Sequence, residues 1–375
     1  MMSGPDTRDE FYVGRIGFEY KPGTILRRRA VDLSSLDGGG RAWQIVYATR
    51  TSFSAPIPAS GIVIAPATVD VVGTGPTLLY CPRFHGLGGC APSQLLANGQ
   101  EPEAGFISAA LQRGWTVAIP DGLGLGMVGL GPFQFLAGRA AAHTVLDLAR
   151  AVRELPELDI AEHPCAIWGF ADGGRAAIWA AETHPEYAPE LDLRGVAAGA
   201  VVDDPGALIP EIDGGPWSGL ALAGLIGLGR AYRHLPIHHL LLAEGHRVVE
   251  HAATLNAAAL LTEFRHQPLA QWCERADPWN DAMWRYVLVN EHSARATPQV
   301  PVHLYHGTSD ALVPVAMGRK LFAAYRALGV DLSWREYHTS HLGAAADGAN
   351  EAISRLVSYL QRRPTPAQPT PPPTT

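Results

Sequence analysis

Between residues 60 and 200, short and almost wholly apolar runs alternate with longer segments whose apolar residues recur at helical spacing. SGIVIAP around Ile62, PTLLYCP around Leu78, GWTVAIPD around Val117, CAIWGF around Ile167 and LRGVAAGAVV around Val196 read as strands buried on both faces. EAGFISAALQRG and AAAHTVLDLARAVREL lie between them and read as helices. Strand–helix alternation of this kind predicts a mainly parallel sheet with helices on both faces, an α/β fold. RAWQIVYATRT, ahead of these runs, alternates in character and predicts antiparallel edge strands.

The pattern changes at Pro205. As far as Thr297 it is mostly helical, from an Ala/Leu/Gly-rich piece through YRHLPIHHLLLAEGHRVVEHAATLNAAALLTEF to the Trp-rich LAQWCERADPWNDAMWRYVLV. Strand signals then resume at PVHLYHG and LSWREYH, and NEAISRLVSYLQRR closes the pattern as a helix. A helical insertion between late strands of a parallel sheet is expected to form a cap. The predicted organisation is a core in 1–204 and 298–363, a helical cap or lid in 205–297 and a disordered Pro/Thr-rich tail in 364–375.

Composition narrows the class. Of 375 residues, 47% are hydrophobic and 17% charged, enough for one large domain with an insertion. The net charge of −7 argues against a nucleic-acid partner, and the densest basic run, Arg27 to Arg29, reads as a solvated strand end. GLALAGLIGLG, from Gly219, is too short to span a bilayer. The first residues, MMSGPDTRDEFY, show no apolar region behind a basic start, which leans the expected location towards the cytoplasm and leaves a mature secreted form open. The four cysteines have no CxxC spacing, so no zinc site is expected, and Cys165 reads as a small buried hydrophobe.

Three loops carry candidate chemistry. WGFADGGR has the layout of a nucleophile elbow, a sharp strand-to-helix turn with small residues around one exposed position, and that position is Ala171. YHGTSDALVPV places Asp310 directly after a strand, where a carboxylate can hold an imidazole in one tautomer. YHTSHLGAAADG places His341 after the last strand, with His338 as the competing histidine. Nucleophile site, acid and histidine, each after a strand and in that order, is the order of α/β-hydrolases. A fourth loop, RFHGLGGCAPS, follows the strand near Leu78, so the backbone N–H groups of His85 and Gly86, with that of Asp172, are the expected oxyanion donors. Phe84, Phe170, Trp217 and Leu220 are the candidates for substrate contacts; Trp217 and Leu220, with Trp272, Trp279 and Trp284, serve equally as pocket lining or cap core. No metal or organic cofactor is expected.

PGTILRRR from Pro22, GCAPS from Gly89, PDGLGLG from Pro120, PEYAPELDLRGVAAGA after the elbow and HGTSDALVPV from His306 together resemble the secretory lipase family of the α/β-hydrolase superfamily, Candida antarctica lipase A-like, in its actinobacterial branch. The resemblance runs from Pro22 to the final helix. It implies an α/β-hydrolase core under a helical cap, Ser-His-Asp chemistry on hydrophobic carboxylic esters or a related acyl transfer, and a disulfide between Cys90 and Cys273. Carried over by position, it implies Ala171 as the nucleophile site, Asp310 as the acid and His341 as the base. Two residues depart from the family: Ala171 stands where it has serine, and Asp172 where it has Gln or Glu. The expected reading of Ala171 is an engineered, inactive serine-to-alanine variant of an esterase. The alternative is a natural non-catalytic protein that binds a hydrophobic ligand. A third reading, with His341 activating water directly, stays open; Asp172 is no substitute nucleophile because only the elbow position faces substrate.

Overall fold

The computed structural model describes residues 9–14, 17, 19–33, 36–67, 75–158, 162–235 and 237–362. The tail expected from 364 lies outside them. Nine strands form one sheet among the described residues: β1 (Ile25–Val31), β2 (Gly39–Arg50), β3 (Pro56–Pro66), β4 (Thr77–Cys81), β5 (Thr116–Pro120), β6 (Cys165–Phe170), β7 (Leu193–Gly199), β8 (Val302–Gly307) and β9 (Leu332–Tyr337), in spatial order β1-β2-β3-β5-β4-β6-β7-β8-β9. The first three strands and the β3–β5 pair are antiparallel, and every pair from β5 through β9 is parallel. Every residue of β4, β5 and β6 is buried, which is why those runs show no alternation in sequence.

The helices are α1 (Pro92–Ala97), α2 (Ala104–Leu111), α3 (Gly138–Arg153), α4 (Asp172–Tyr187), α5 (Pro205–Ile212), α6 (Ser218–Ala231), α7 (Ala243–Ala252), α8 (Ala257–Glu263), α9 (Ala282–Asn290), α10 (Val315–Ala327) and α11 (His341–Gln361). α3, α4 and α10 pack on one face of the sheet, and α2 and α11 on the other. No helix among the described residues is long and apolar enough to cross a membrane. Arg27–Arg29 lie inside β1 rather than at a strand end. Arg28 pairs with Glu157, and Arg29 with Asp9 at 2.8 Å, so the edge strand carries charge that blunts further pairing.

α5 to α9 fill the connection between β7 and β8. Trp272 and Trp284 are buried in the apolar core that these helices share with α3 and α4, and Trp279 packs against it. The small residues of α6 let it lie directly on the core: a β-carbon on Gly227 would sit 2.4 Å from the Phe135 backbone nitrogen. These helices are also fastened to α4 by a buried ion pair. Arg175 Nη2 of α4 lies 2.8 Å from Glu291 Oε2, just after α9, and both side chains are almost fully buried. The guanidinium also donates to the carbonyls of Leu136, Val202 and Glu291, while the Glu291 carboxylate accepts from Gly138 N–H and the Tyr232 hydroxyl. Removing one partner of such a pair leaves a buried charge without compensation. Arg175→Met is therefore expected to lower unfolding free energy by about 3–5 kcal/mol, read as a shifted urea midpoint, with Glu291→Gln costing less.

Candidate active site

The elbow forms where β6 runs into α4. Ala171, between them, has φ 53° and ψ −113°, a conformation that costs a residue with a β-carbon about 1–3 kcal/mol and turns its side chain out of the sheet. Gly173 makes the turn feasible, because a β-carbon there would sit 1.9 Å from the Cys81 carbonyl oxygen. Ala171 itself is 9% exposed. The sheet thus presents a methyl group at the position that the sequence marks for a nucleophile.

Asp310 and His341 come together across two loops. Asp310 follows β8, and its Oδ1 accepts the N–H groups of Leu312 at 2.9 Å and Val313 at 2.8 Å, which fixes the carboxylate. His341 opens α11, and its Nδ1 lies 2.6 Å from Asp310 Oδ2, so Nδ1–H donates and Nε2 is left with a lone pair. His306, which the sequence reading did not single out, approaches the same oxygen with its Nε2 at 3.5 Å and donates to the Val313 carbonyl at 2.8 Å. Burial pushes the Asp310 carboxyl up, but the hydrogen bonds from His306 and His341 outweigh it and hold the group well below the usual carboxylate range. His338 is exposed, 3.3 Å from the Thr308 hydroxyl, and takes no part in this pair.

The His85 loop is clamped against the turn between α7 and α8. Leu87 N–H and Gly88 N–H donate to the Leu255 carbonyl at 3.0 and 3.1 Å, and Ala257 N–H donates to the His85 carbonyl at 2.8 Å. Gly86, at φ +133°, permits this approach, since a β-carbon would stand 2.5 Å from Asn256 Cα. Among the described residues no backbone bond between segments consumes the N–H groups of His85 and Gly86. Asp172 N–H is the first of the four orphan donors of α4. The His85 ring has its own task. Nδ1 lies 2.6 Å from the Arg83 carbonyl and Nε2 3.0 Å from Glu101, so both nitrogens face acceptors and both must donate. Burial alone would favour the neutral ring; the Glu101 carboxylate and the Arg83 carbonyl outweigh it and raise the pKa.

A cavity of about 50 Å³ lies beside the elbow, between the ends of β4 and β5 and the first turns of α3 and α4. His85 and Asp172 line it, whereas Ala171 and His341 do not. None of the four candidates for substrate contact lies on its wall either. Phe84 packs against Phe135, Phe170 is buried with its ring 5.0 Å from that of His341, Trp217 precedes α6, and Leu220 packs on the core. Cys273 is buried, its backbone paired with that of Leu241, and Cys90 sits on the His85 loop.

Residues 91–367 match the family model described as secretory lipase. The chain belongs to the secretory lipase family. Its relatives are lipases and esterases. It is 26% identical to Lipase A of Arthroderma benhamiae over 95% of this chain and 80% of that one. It is 27% identical to a probable inactive lipase of Mycobacterium tuberculosis, over 95% of this chain and 82% of that one. Among solved structures, Candida antarctica lipase A superposes with a TM-score of 0.85 at 21% identity, covering 96% of this chain and 88% of the other, which establishes the α/β-hydrolase fold.

Asp172 gives the secretory-lipase site an unusual charge. Burial pushes its carboxyl up to about 7, against the opposing pull of Arg175 and His85. A carboxyl whose folded pKa lies above its unfolded value favours the native state fully only below the unfolded pKa, and that stability is lost as pH rises to the folded pKa. Wild type is therefore expected to lose stability relative to Asp172→Asn between about pH 4 and pH 7. The gap should level off above that, at a few kcal/mol. Urea unfolding of both proteins from pH 4 to 8.5 measures it; curves that stay parallel throughout would refute the shift.

Proposed function

We propose that this secretory lipase family member recognises hydrophobic carboxylic esters in a lipase/esterase site that lacks only its nucleophilic oxygen. The observation that carries this reading is the 2.6 Å Asp310–His341 bond, kept in the loops that follow β8 and β9 while the elbow carries Ala171 in the strained turn. A surface turn needs neither a fixed carboxylate nor a histidine with one nitrogen held free.

With serine at 171, Oγ would attack the ester carbonyl carbon as His341 Nε2 takes its proton, Asp310 holding the imidazolium that forms. The N–H groups of His85 and Asp172 would receive the oxyanion. Collapse of the tetrahedral intermediate breaks the carbon–oxygen bond to the alcohol, which leaves with the proton from His341. Water, or a second alcohol in acyl transfer, then releases the acyl group by the same steps in reverse. As the chain stands, no acyl-enzyme can form, and only water activated by His341 remains as a slow route.

A second reading, natural loss of catalysis with ligand binding retained, is favoured by one feature over an engineered change. Removing a serine by design would leave the neighbouring residue alone, yet Asp172 also departs from the Gln or Glu that the resemblance implies. A relative named a probable inactive lipase is consistent with this history.

Ala171→Ser tests the reading. Hydrolysis of p-nitrophenyl esters of several chain lengths is expected to rise by about 10³-fold or more over the parent. His341→Ala in that background should then remove at least about 10²-fold. A folded Ala171→Ser protein that releases no more product than the parent, across short, long and bulky esters, would sink the proposal.

A further inference from the structure

The cavity beside the elbow is lined by one buried acceptor without a partner, Gln134 Oε1, and by the partly exposed carboxyl of Asp172. No hydrogen bond or ion pair among the described residues reaches the Asp172 carboxyl. Gln134 Oε1, on a side chain 7% exposed, also has no partner. Both line the same cavity. Its other polar groups are committed. Asp121 accepts from Ser93 N–H and from the Ser60 and Ser93 hydroxyls. Arg175 is taken up by Glu291 and three carbonyls, both His85 nitrogens are bonded, and Arg83 pairs with Glu103 at 2.7 Å. The rest of the wall is mostly apolar, with Leu123, Phe133 and Val145 among it.

A buried acceptor such as Gln134 Oε1 requires a donor, and beside a desolvated carboxyl a ligand that supplies one without adding charge costs least. A hydroxyl does this: it accepts from a protonated Asp172 carboxyl and donates to Gln134 Oε1. An ammonium could donate to both only by burying its charge against an ionised Asp172. Water would bond both groups but leave the apolar wall without contacts. The volume admits on the order of four water-sized groups.

We infer that this cavity is a subsite for a small aliphatic alcohol, its hydroxyl bridging the Asp172 carboxyl and the Gln134 carbonyl and its short chain lying on the apolar wall. Its meaning as the alcohol side of an ester or acyl-transfer reaction rests on the proposed function, because the cavity is flanked by His85 and Asp172, the residues expected to hold the oxyanion. Binding itself needs no turnover. The charged or titratable groups facing Asp172 are Arg175 with Glu291 from α4 and the cap, His85 with Glu101 and Arg83 with Glu103 from the loop after β4, Cys81 at the end of β4, and Asp121 after β5. Of these, Arg175 and His85 are each held in an ion pair, which leaves Asp172 as the group whose protonation sets the match to the ligand.

Saturation-transfer NMR on the chain as it stands, with 1-propanol, propylamine and propionate at pH 5.5 and pH 8.5, tests the inference. Propanol is expected to show transfer at pH 5.5 and at least a fivefold weaker affinity at pH 8.5, with no transfer to propylamine at pH 5.5. Asp172→Asn, which keeps a neutral donor and acceptor, should bind propanol equally at both pH values. Gln134→Leu should weaken binding at least fivefold while near-UV circular dichroism stays native. Absence of propanol transfer to the folded protein, or transfer indifferent to both substitutions, overturns the inference. Propylamine binding that strengthens with pH also overturns it, in favour of an ammonium site. A serine-restored protein that hydrolyses no ester would leave this binding result standing, so the two failures can be told apart.

Discussion

The Arg175–Glu291 pair is the constraint on which the rest of the architecture leans. Arg175 sits one turn into the helix that starts at the elbow, so whatever fixes its guanidinium fixes the direction of that helix. Its partners come from the turn before α3, the segment after β7 and the residue after α9. Glu291 returns the connection through Gly138 and Tyr232. A buried pair of this kind contributes little net stability over an apolar replacement of equal volume. What it does is penalise every arrangement in which one of these segments strays, because each would leave a charge or carbonyl unpaired in the interior. The α5–α9 helices and the elbow are therefore held in one geometry, and the cavity wall formed by α3 and α4 is held with them.

That rigidity explains how the elbow tolerates its backbone. Ala171 is strained whether or not it carries a hydroxyl, and the Gly173 contact with Cys81 allows no larger neighbour. The strain has no evident use in a chain without a nucleophile, since its effect is to aim a side chain at the mouth of the sheet. The surrounding packing over-determines the turn, so a methyl group at 171 keeps the elbow geometry.

Much of this was legible in the sequence, for physical reasons that differ from residue to residue. β4 to β7 announce themselves because strands buried on both faces must be apolar throughout. Asp310 and His341 were legible through order and position, as each follows a strand that the hydrophobic pattern already located. His306 was missed, although it lies only four residues before Asp310, because its role depends on a turn that folds it back on the carboxylate. The clamp between the His85 loop and Leu255–Ala257 was missed because backbone groups leave no trace in side-chain chemistry. Phe84 and Phe170 stand out as apolar residues beside the motifs, and Trp217 and Leu220 as part of the apolar helical insertion, a signal that does not separate a pocket wall from the core beside it.

Asp172 is where the two levels meet. In sequence it is a single departure from a family pattern; in the structure it is a carboxyl at the first turn of α4, where the helix dipole favours its charge. Desolvation works the other way and wins, raising the pKa to about 7 in spite of Arg175 and His85 nearby. Arg175 is already matched by Glu291, and His85 by Glu101, so neither has a full charge to spare for a third carboxylate. The near-neutral carboxyl is thus a consequence of how completely its neighbours are paired with one another. A site with its serine intact would feel the same effect, because Asp172 N–H is also an expected oxyanion donor. Proton loss from that side chain would place a negative charge next to the developing oxyanion, opposing the transition state as pH rises through about 7.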